Sequence, residues 1–175
     1  LVEITADILA VRDPETGDPL VDRILDAAGQ KGTGKWTSQA GLDLGVAIPQ
    51  IAEAVFARCL SAIPEERAAA AGLLSGPVGG FRGDEAERRE ILGRLESAVH
   101  AAKICSYAQG FSLLRAASAE YGWKLDFARI ADLWRAGCII RARFLGRIRE
   151  AFGSRKDLPN LMLDRDFREV LAGAQ

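Results

Sequence analysis

The sequence predicts an all-α domain, and three observations carry that expectation. Apolar residues recur three and four positions apart in segment after segment, the period of a helix that buries one face. No segment keeps a strict polar–apolar alternation long enough to compel a strand. Proline, glycine and short polar clusters punctuate the periodic segments where helices should start and stop. With 175 residues, 49% hydrophobic and 27% charged, the chain can build a real core and stay in solution. Its 23 basic and 24 acidic residues leave a formal net charge of −1, a balance that points to neither nucleic acid nor an anionic membrane. Mean hydropathy is +0.03; the sequence carries no secretory signal and no apolar run long enough to cross a bilayer.

The elements follow in order. Ile4, Ile8 and Val11 share one helical face with Leu9 beside them, so the chain opens inside a helix. It begins at Leu1 without an initiator methionine, and Gln175 ends it without punctuation, which suggests part of a longer protein. Residues 13–19 are turn material. Val21, Ile24, Leu25 and Ala28 predict a helix over residues 20–28. Gly32, Thr33 and Gly34 break it; Thr37 or Ser38 should cap a short helix through Leu44, closed by Gly45. Pro49 suits the first turn of the next helix, whose apolar face would be Ile51, Val55, Phe56, Leu60 and Ile63. Pro64 starts a shorter helix over residues 65–74, and Ser75 to Gly83 reads as a mobile surface loop.

The longest pattern runs from Asp84 to Tyr121, with Ile91, Leu95, Ala98, Ala102, Cys105, Ala108, Phe111 and Leu114 on one drifting face. Such a helix would be roughly 50–60 Å long. Gly110 inside it would permit a close helix crossing or mark a kink. Asp126 can cap a further helix with Ile130, Leu133, Trp134 and Cys138 inward. Residues 139–152 continue with Ile140, Phe144, Leu145 and Ile148 on one side, and residues 156–159 turn the chain. Leu161, Leu163, Phe167, Val170 and Leu171 suggest a final helix, for about seven or eight in all within a single domain. Cys59, Cys105 and Cys138 are expected to be small buried residues in a reducing cytosol. His100 alone offers little for a metal site, and no metal ligand is assigned; as a packed or hydrogen-bonded residue it fits its apolar neighbours better than as a catalyst.

Chemistry concentrates between Asp26 and Thr37. Lys31 and Lys35, Thr33 and Thr37, and three glycines stand beside a helix end, a composition suited to a phosphate. Lysine brings a mobile charge with three donors, threonine a hydroxyl, and glycine lets backbone N–H groups approach an anion. The order of residues is not that of the nucleotide P-loop. Composition alone leaves open a glycine turn whose lysines merely face solvent. Ile24 to Trp36, with Asp26, Gly29, Lys31, Gly32, Thr33, Gly34 and Trp36, resembles the signature of the 6-phosphogluconate dehydrogenase family. Residues 36–39, 42–45, 54–58, 106–111 and 134–141 are similar to further blocks of that family, so the resemblance spans nearly the whole chain.

The resemblance implies an NADP-dependent, cytoplasmic enzyme that takes hydride from C3 of 6-phosphogluconate. The β-keto acid so formed loses CO2 to give ribulose 5-phosphate. It implies a homodimer in which this helical domain carries the phosphate end of a shared site. It makes Lys31, Thr33 and Arg58 substrate-phosphate ligands, with arginine's planar fork suited to a dianion. Lys35 adds field or faces solvent, Trp36 fixes the loop, and Gly32 and Gly34 shape it. Asp26 binds N–H groups of the following loop or is an ordinary helix carboxylate. Ser106, Tyr107 and Gln109 make polar contacts or pack along the long helix, and Trp134, Arg135, Cys138 and Arg141 pack helices. By the same pattern a nucleotide-binding domain, a catalytic lysine and a glutamate would precede Leu1, and a tail arginine and histidine would follow Gln175. No catalytic residue is therefore assigned within the chain. An inactive helical phosphate-binding or dimerisation scaffold is the competing expectation for the chain alone.

Overall fold

Local chemistry sets where each helix begins. The computed structural model describes residues 1–76 and 80–174. Helix α1 (Val2–Ala10) leads into a hairpin-like turn closed by a single antiparallel bridge between Arg12 and Pro19. Asp13 caps that turn by accepting from the N–H groups of Glu15 and Thr16. The helix expected over residues 20–28 does not form. A 3-10 turn, Leu20–Arg23, ends at once, and residues 24–32 continue mostly as coil. Val21, Ile24 and Leu25 are exposed, so the apolar spacing has no surface to bury against and nothing sustains a helix.

Helix α2 (Thr33–Asp43) begins four residues before the expected caps. Gly32 at φ +102° is its N-cap, a left-handed conformation that glycine adopts without strain. Thr37 and Ser38 instead donate back to the carbonyls of Thr33 and Gly34 inside the helix. Gly45 at φ +64° follows the helix end, as expected. Helices α3 (Pro49–Ser61) and α4 (Pro64–Leu73) both take proline in the first turn. The expected apolar face of α3 is only half covered: Ile51 and Val55 are partly buried, while Phe56, Leu60 and Ile63 are exposed. The loop expected from Ser75 to Gly83 lies in part, at residues 77–79, outside the described residues.

Helix α5 (Glu85–Glu120) is the spine. Asp84 accepts from the N–H groups of Ala86 and Glu87, and Glu87 accepts from the Asp84 N–H, a reciprocal capping box. Its first half buries nothing; Ile104, Ala108, Phe111 and Ala117 are buried farther along. Ile91 and Leu95, expected on the inner face, are about half exposed. A Cβ on Gly110 would meet nothing within 4 Å, so no helix crosses closely there. Asp126 caps α6 (Phe127–Leu133) through the Arg129 N–H. Leu133 points outward at 74% exposure, and Gly137 at φ +66° stops any continuation. Residues 139–143 are turn and coil, so α7 starts only at Phe144 and runs to Ser154. A 3-10 turn, Leu161–Leu163, precedes α8 (Arg165–Ala172), capped by Asp164; Leu163 is exposed where burial was expected.

The core lies between the second half of α5, α6, α7, the 158–163 turn and α8. Phe111 anchors it against Phe152, Trp134 and Phe127, with ring centroids 4.8, 5.5 and 6.0 Å away. His100 packs edge-on to Phe144, and Cys105 and Cys138 are partly buried. Cys59, by contrast, is exposed, on a helix that buries no residue completely. Helix α5 connects this core to α3, which in turn packs on α2.

Candidate functional site

Two glycines and a glutamine let α2 and α3 approach each other and α5. A Cβ on Gly34 would stand 2.8 Å from Val55 Cγ2, and one on Gly41 2.6 Å from Ile48 Cδ1, so α2 rests directly on α3 and its leading turn. Gln109 on α5 accepts from the N–H groups of Gln50 and Ile51 at 3.1 and 3.3 Å. That contact supplies the N-terminal cap that α3's own sequence lacks. The three helices bound a cavity of about 500 Å³ lined by Gln30, Lys31, Thr33, Gly34, Gln50, Ile51, Ala54, Val55, Arg58 and Ser106. The structure thus brings all three expected ligands, Lys31, Thr33 and Arg58, to one wall-to-wall opening although Arg58 is far away in sequence.

Helix α2 starts at that opening with no side chain capping its first N–H groups. Together with Lys31, Thr33 and Arg58 they make a positive, donor-rich mouth suited to a phosphate-sized anion. The Arg58 guanidinium donates to the Gly29 carbonyl, which holds the arginine beside the loop that carries Lys31. Gln30 reaches the Cys59 sulfur at 3.6 Å. Lys35 is exposed and does not line the cavity. Trp36 is 64% exposed, yet its indole lies over Gly32, 3.5 Å from where a Cβ would stand, so it braces the turn.

Asp26 behaves as neither expectation held. It is not in a helix and accepts no loop N–H group; it pairs with Arg67 of α4 at 2.8 Å. The Arg67 hydrogen bond and its charge lower the Asp26 pKa below the usual carboxylate value. Arg67 also donates to the backbone carbonyls of Asp26 at 2.6 Å and Ser61 at 3.4 Å. Nothing in helical periodicity singled out Arg67; the available signal was a lone arginine on a short alanine-rich helix that packs behind the lysine–glycine loop. The 106–109 block splits by helical angle. Ser106 and Gln109 serve the cavity side, while Tyr107 turns to the core, donating to the Ile140 carbonyl at 3.4 Å. Burial, and then the neighbouring Cys138, raise the Tyr107 pKa. Trp134 packs on Phe111 as expected, whereas Arg135 pairs with Asp132 and Arg141 lines a separate opening beside Leu1 and Glu3. No group of three metal-ligating side chains occurs among the described residues.

Comparison with known proteins accounts for the whole chain. A family model described as "6-phosphogluconate dehydrogenase, C-terminal domain" matches residues 1–175. The NADP(+)-dependent, decarboxylating 6-phosphogluconate dehydrogenase of Bacillus subtilis is 53% identical over 175 residues, all of this chain and 37% of that protein. The decarboxylating 6-phosphogluconate dehydrogenase 1 of Saccharomyces cerevisiae is 51% identical, over all of this chain and 35% of its own length. The solved 6-phosphogluconate dehydrogenase of Plasmodium falciparum, described in its apo form, with its cofactor NADP+ and with its substrate 6-phosphogluconate, superposes with a TM-score of 0.89. It is 40% identical, and the match covers 99% of this chain and 37% of that one. The chain spans little more than a third of these relatives, and within them it corresponds to a helical domain built like the one described above. It belongs to the 6-phosphogluconate dehydrogenase family, as its C-terminal domain.

Proposed function

We propose that this domain holds the phosphate of 6-phosphogluconate in an NADP-dependent, decarboxylating dehydrogenase that yields ribulose 5-phosphate and CO2. The observation that carries this reading is the convergence of Lys31, Thr33, Arg58 and the uncapped start of α2 on one cavity. Lys31 supplies a mobile charge, Thr33 a hydroxyl, and Arg58 a planar pair of donors. These groups make binding tighter in the ground and transition states alike, so their share of catalysis is to fix the sugar acid in place while other residues act on it. The described residues do not fit NADP. They hold one isolated backbone bridge and no parallel sheet whose crevice would cradle a dinucleotide, so the nucleotide would be held outside this domain. The domain alone is therefore expected to bind phosphate without turning substrate over.

A second role in assembly is favoured by the apolar surface. Ile91, Leu92, Leu95 and Val99 on α5 are each about half exposed, and Ile4, Ile8 and Leu9 on α1 likewise. A second copy of the chain covering these helices would make a homodimer and remove that surface from water. No described helix is long and apolar enough to cross a membrane, and a cytoplasmic setting accords with unpaired cysteines.

Steady-state kinetics of the full-length enzyme carrying Arg58→Ala tests the phosphate reading. The KM for 6-phosphogluconate should rise roughly 10- to 100-fold, the worth of a lost charge-assisted contact. The KM for NADP should hardly move; equal losses for both ligands would reject the assignment.

A further inference from the structure

Arg67 lies outside the cavity wall, yet its guanidinium contacts three acceptors where the loop leaves the α3–α4 corner: the Asp26 carboxylate, the Asp26 carbonyl and the Ser61 carbonyl. We propose that Arg67 is a positioning residue for the substrate phosphate, clamping residues 24–32 to α4 so that Lys31 and Thr33 stay in register with Arg58. This rests on the phosphate reading above.

The segment needs such a clamp. Residues 24–32 form no helix, none of them is buried, and Ala28 N–H to Ser61 carbonyl, at 3.4 Å, is a long backbone bond to the neighbouring corner. Coil of this kind loses considerable conformational entropy when it is fixed, so side-chain anchors must hold it. Arg58 contributes one, through Gly29, but a phosphate would compete for that guanidinium. Arg67 has no such competitor, because its donors face the protein: its side chain is 29% exposed against 83% for Asp26. The planar fork matters, since one ammonium cannot hold a carboxylate and two carbonyls in the same fixed geometry. The lowered pKa of Asp26 agrees with a pair that stays charged at neutral pH.

The test uses the full-length enzyme with Arg67→Met, Arg67→Lys, Asp26→Asn and Arg58→Ala. Arg67→Met should raise the KM for 6-phosphogluconate about tenfold, lower kcat less than about threefold, and leave the KM for NADP in place. Arg67→Lys should restore part of the loss, because it keeps the ion pair but not the fork. Asp26→Asn should raise the same KM, and the double variant with Arg67→Met should be no worse than Arg67→Met alone. If Arg67→Met fails to fold, Asp26→Asn decides, and an unchanged KM for 6-phosphogluconate overturns the proposal. An Arg58→Ala enzyme with altered KM beside an Arg67→Met enzyme without it rejects the clamp alone. An Arg58→Ala enzyme with unaltered KM rejects the phosphate reading and the clamp with it. A parallel rise in both substrates' KM values would mark Arg67 as merely structural and likewise overturn the proposal.

Discussion

The two halves of the domain use helices in opposite ways. From Ile104 onward, helices meet on several sides and bury Phe111, Leu145, Ile148, Phe152, Leu158, Leu161 and Phe167 almost completely. Before it, among the described residues, only Gly41 and Ile48 are buried, although the sequence there is just as rich in isoleucine, leucine and valine. The difference is one of layers. Helices α5 to α8 enclose a space, whereas α2 and α3 pack on each other, α3 touches α5, and most of their other surface and that of α4 is open. Hydrophobic burial fixes the first half of the comparison; glycine contacts, a borrowed helix cap and ion pairs fix the second. The half held by polar contacts is the one that carries the cavity lined by Lys31, Thr33 and Arg58.

The sharpest way to break this contrast is to cut a large side chain from each half. Phe111→Ala should cost about 3–5 kcal/mol, because the surrounding rings cannot collapse into the space left. Phe56→Ala, in a residue 67% exposed, should stay within about 1 kcal/mol. Denaturant unfolding of the two variants measures both. A loss at Phe56 as large as that at Phe111 would mean that a second surface covers α3 in solution, and the open half would no longer be open.

Gly34→Ala comes next. Its new methyl would meet Val55 Cγ2 at 2.8 Å, and β-branched valine has little rotamer freedom in a helix with which to yield. Separating α2 from α3 should cost about 1–3 kcal/mol and raise the substrate KM, since the two helices carry the proposed phosphate ligands Thr33 and Arg58. Gln109→Ala should cost less, about 0.5–2 kcal/mol, by stripping the acceptor from the α3 N-terminus. Thermal unfolding reads both, and a Gln109→Glu variant should recover most of that loss because its carboxylate still accepts from Gln50 and Ile51.

How far the sequence predicted these features follows the same divide. Prolines and one capping aspartate marked the starts of α3, α4 and α6 well, because Pro49, Pro64 and Asp126 act within one turn of themselves. Periodicity misled at residues 20–28, where apolar spacing is present but no neighbouring surface rewards a helix. It misled again at 139–143, where Gly137 had already turned the chain. Local composition pointed to Lys31 and Thr33, but Arg58 could be named only through resemblance, since nothing local ties residue 58 to residue 31. Arg67 and the reach of Gln109 to α3 stayed hidden because both contacts join distant segments, and helical spacing says nothing about what a polar side chain will meet across a gap.

The smallest effect is the one that isolates the open half. Arg67 holds the Asp26 carboxyl below the usual carboxylate value, so the pair contributes stability that is fully present above that usual value. It is lost as the pH falls through the folded value, when protonation removes the charge that Arg67 holds. The unfolding temperature of the unmodified chain should therefore exceed that of Asp26→Asn by a constant margin near neutral pH. The margin should shrink below about pH 4 and close under more acid conditions. An exposed pair is screened by solvent and salt, so the margin should be small and should narrow as salt is added. The core contains no buried polar or charged residue among those described, which gives Phe111→Ala no reason to follow the same curve. If the Phe111→Ala margin also closed in acid, titration would be acting on the whole fold, and the division of labour between a hydrophobic half and an ion-paired half would fail.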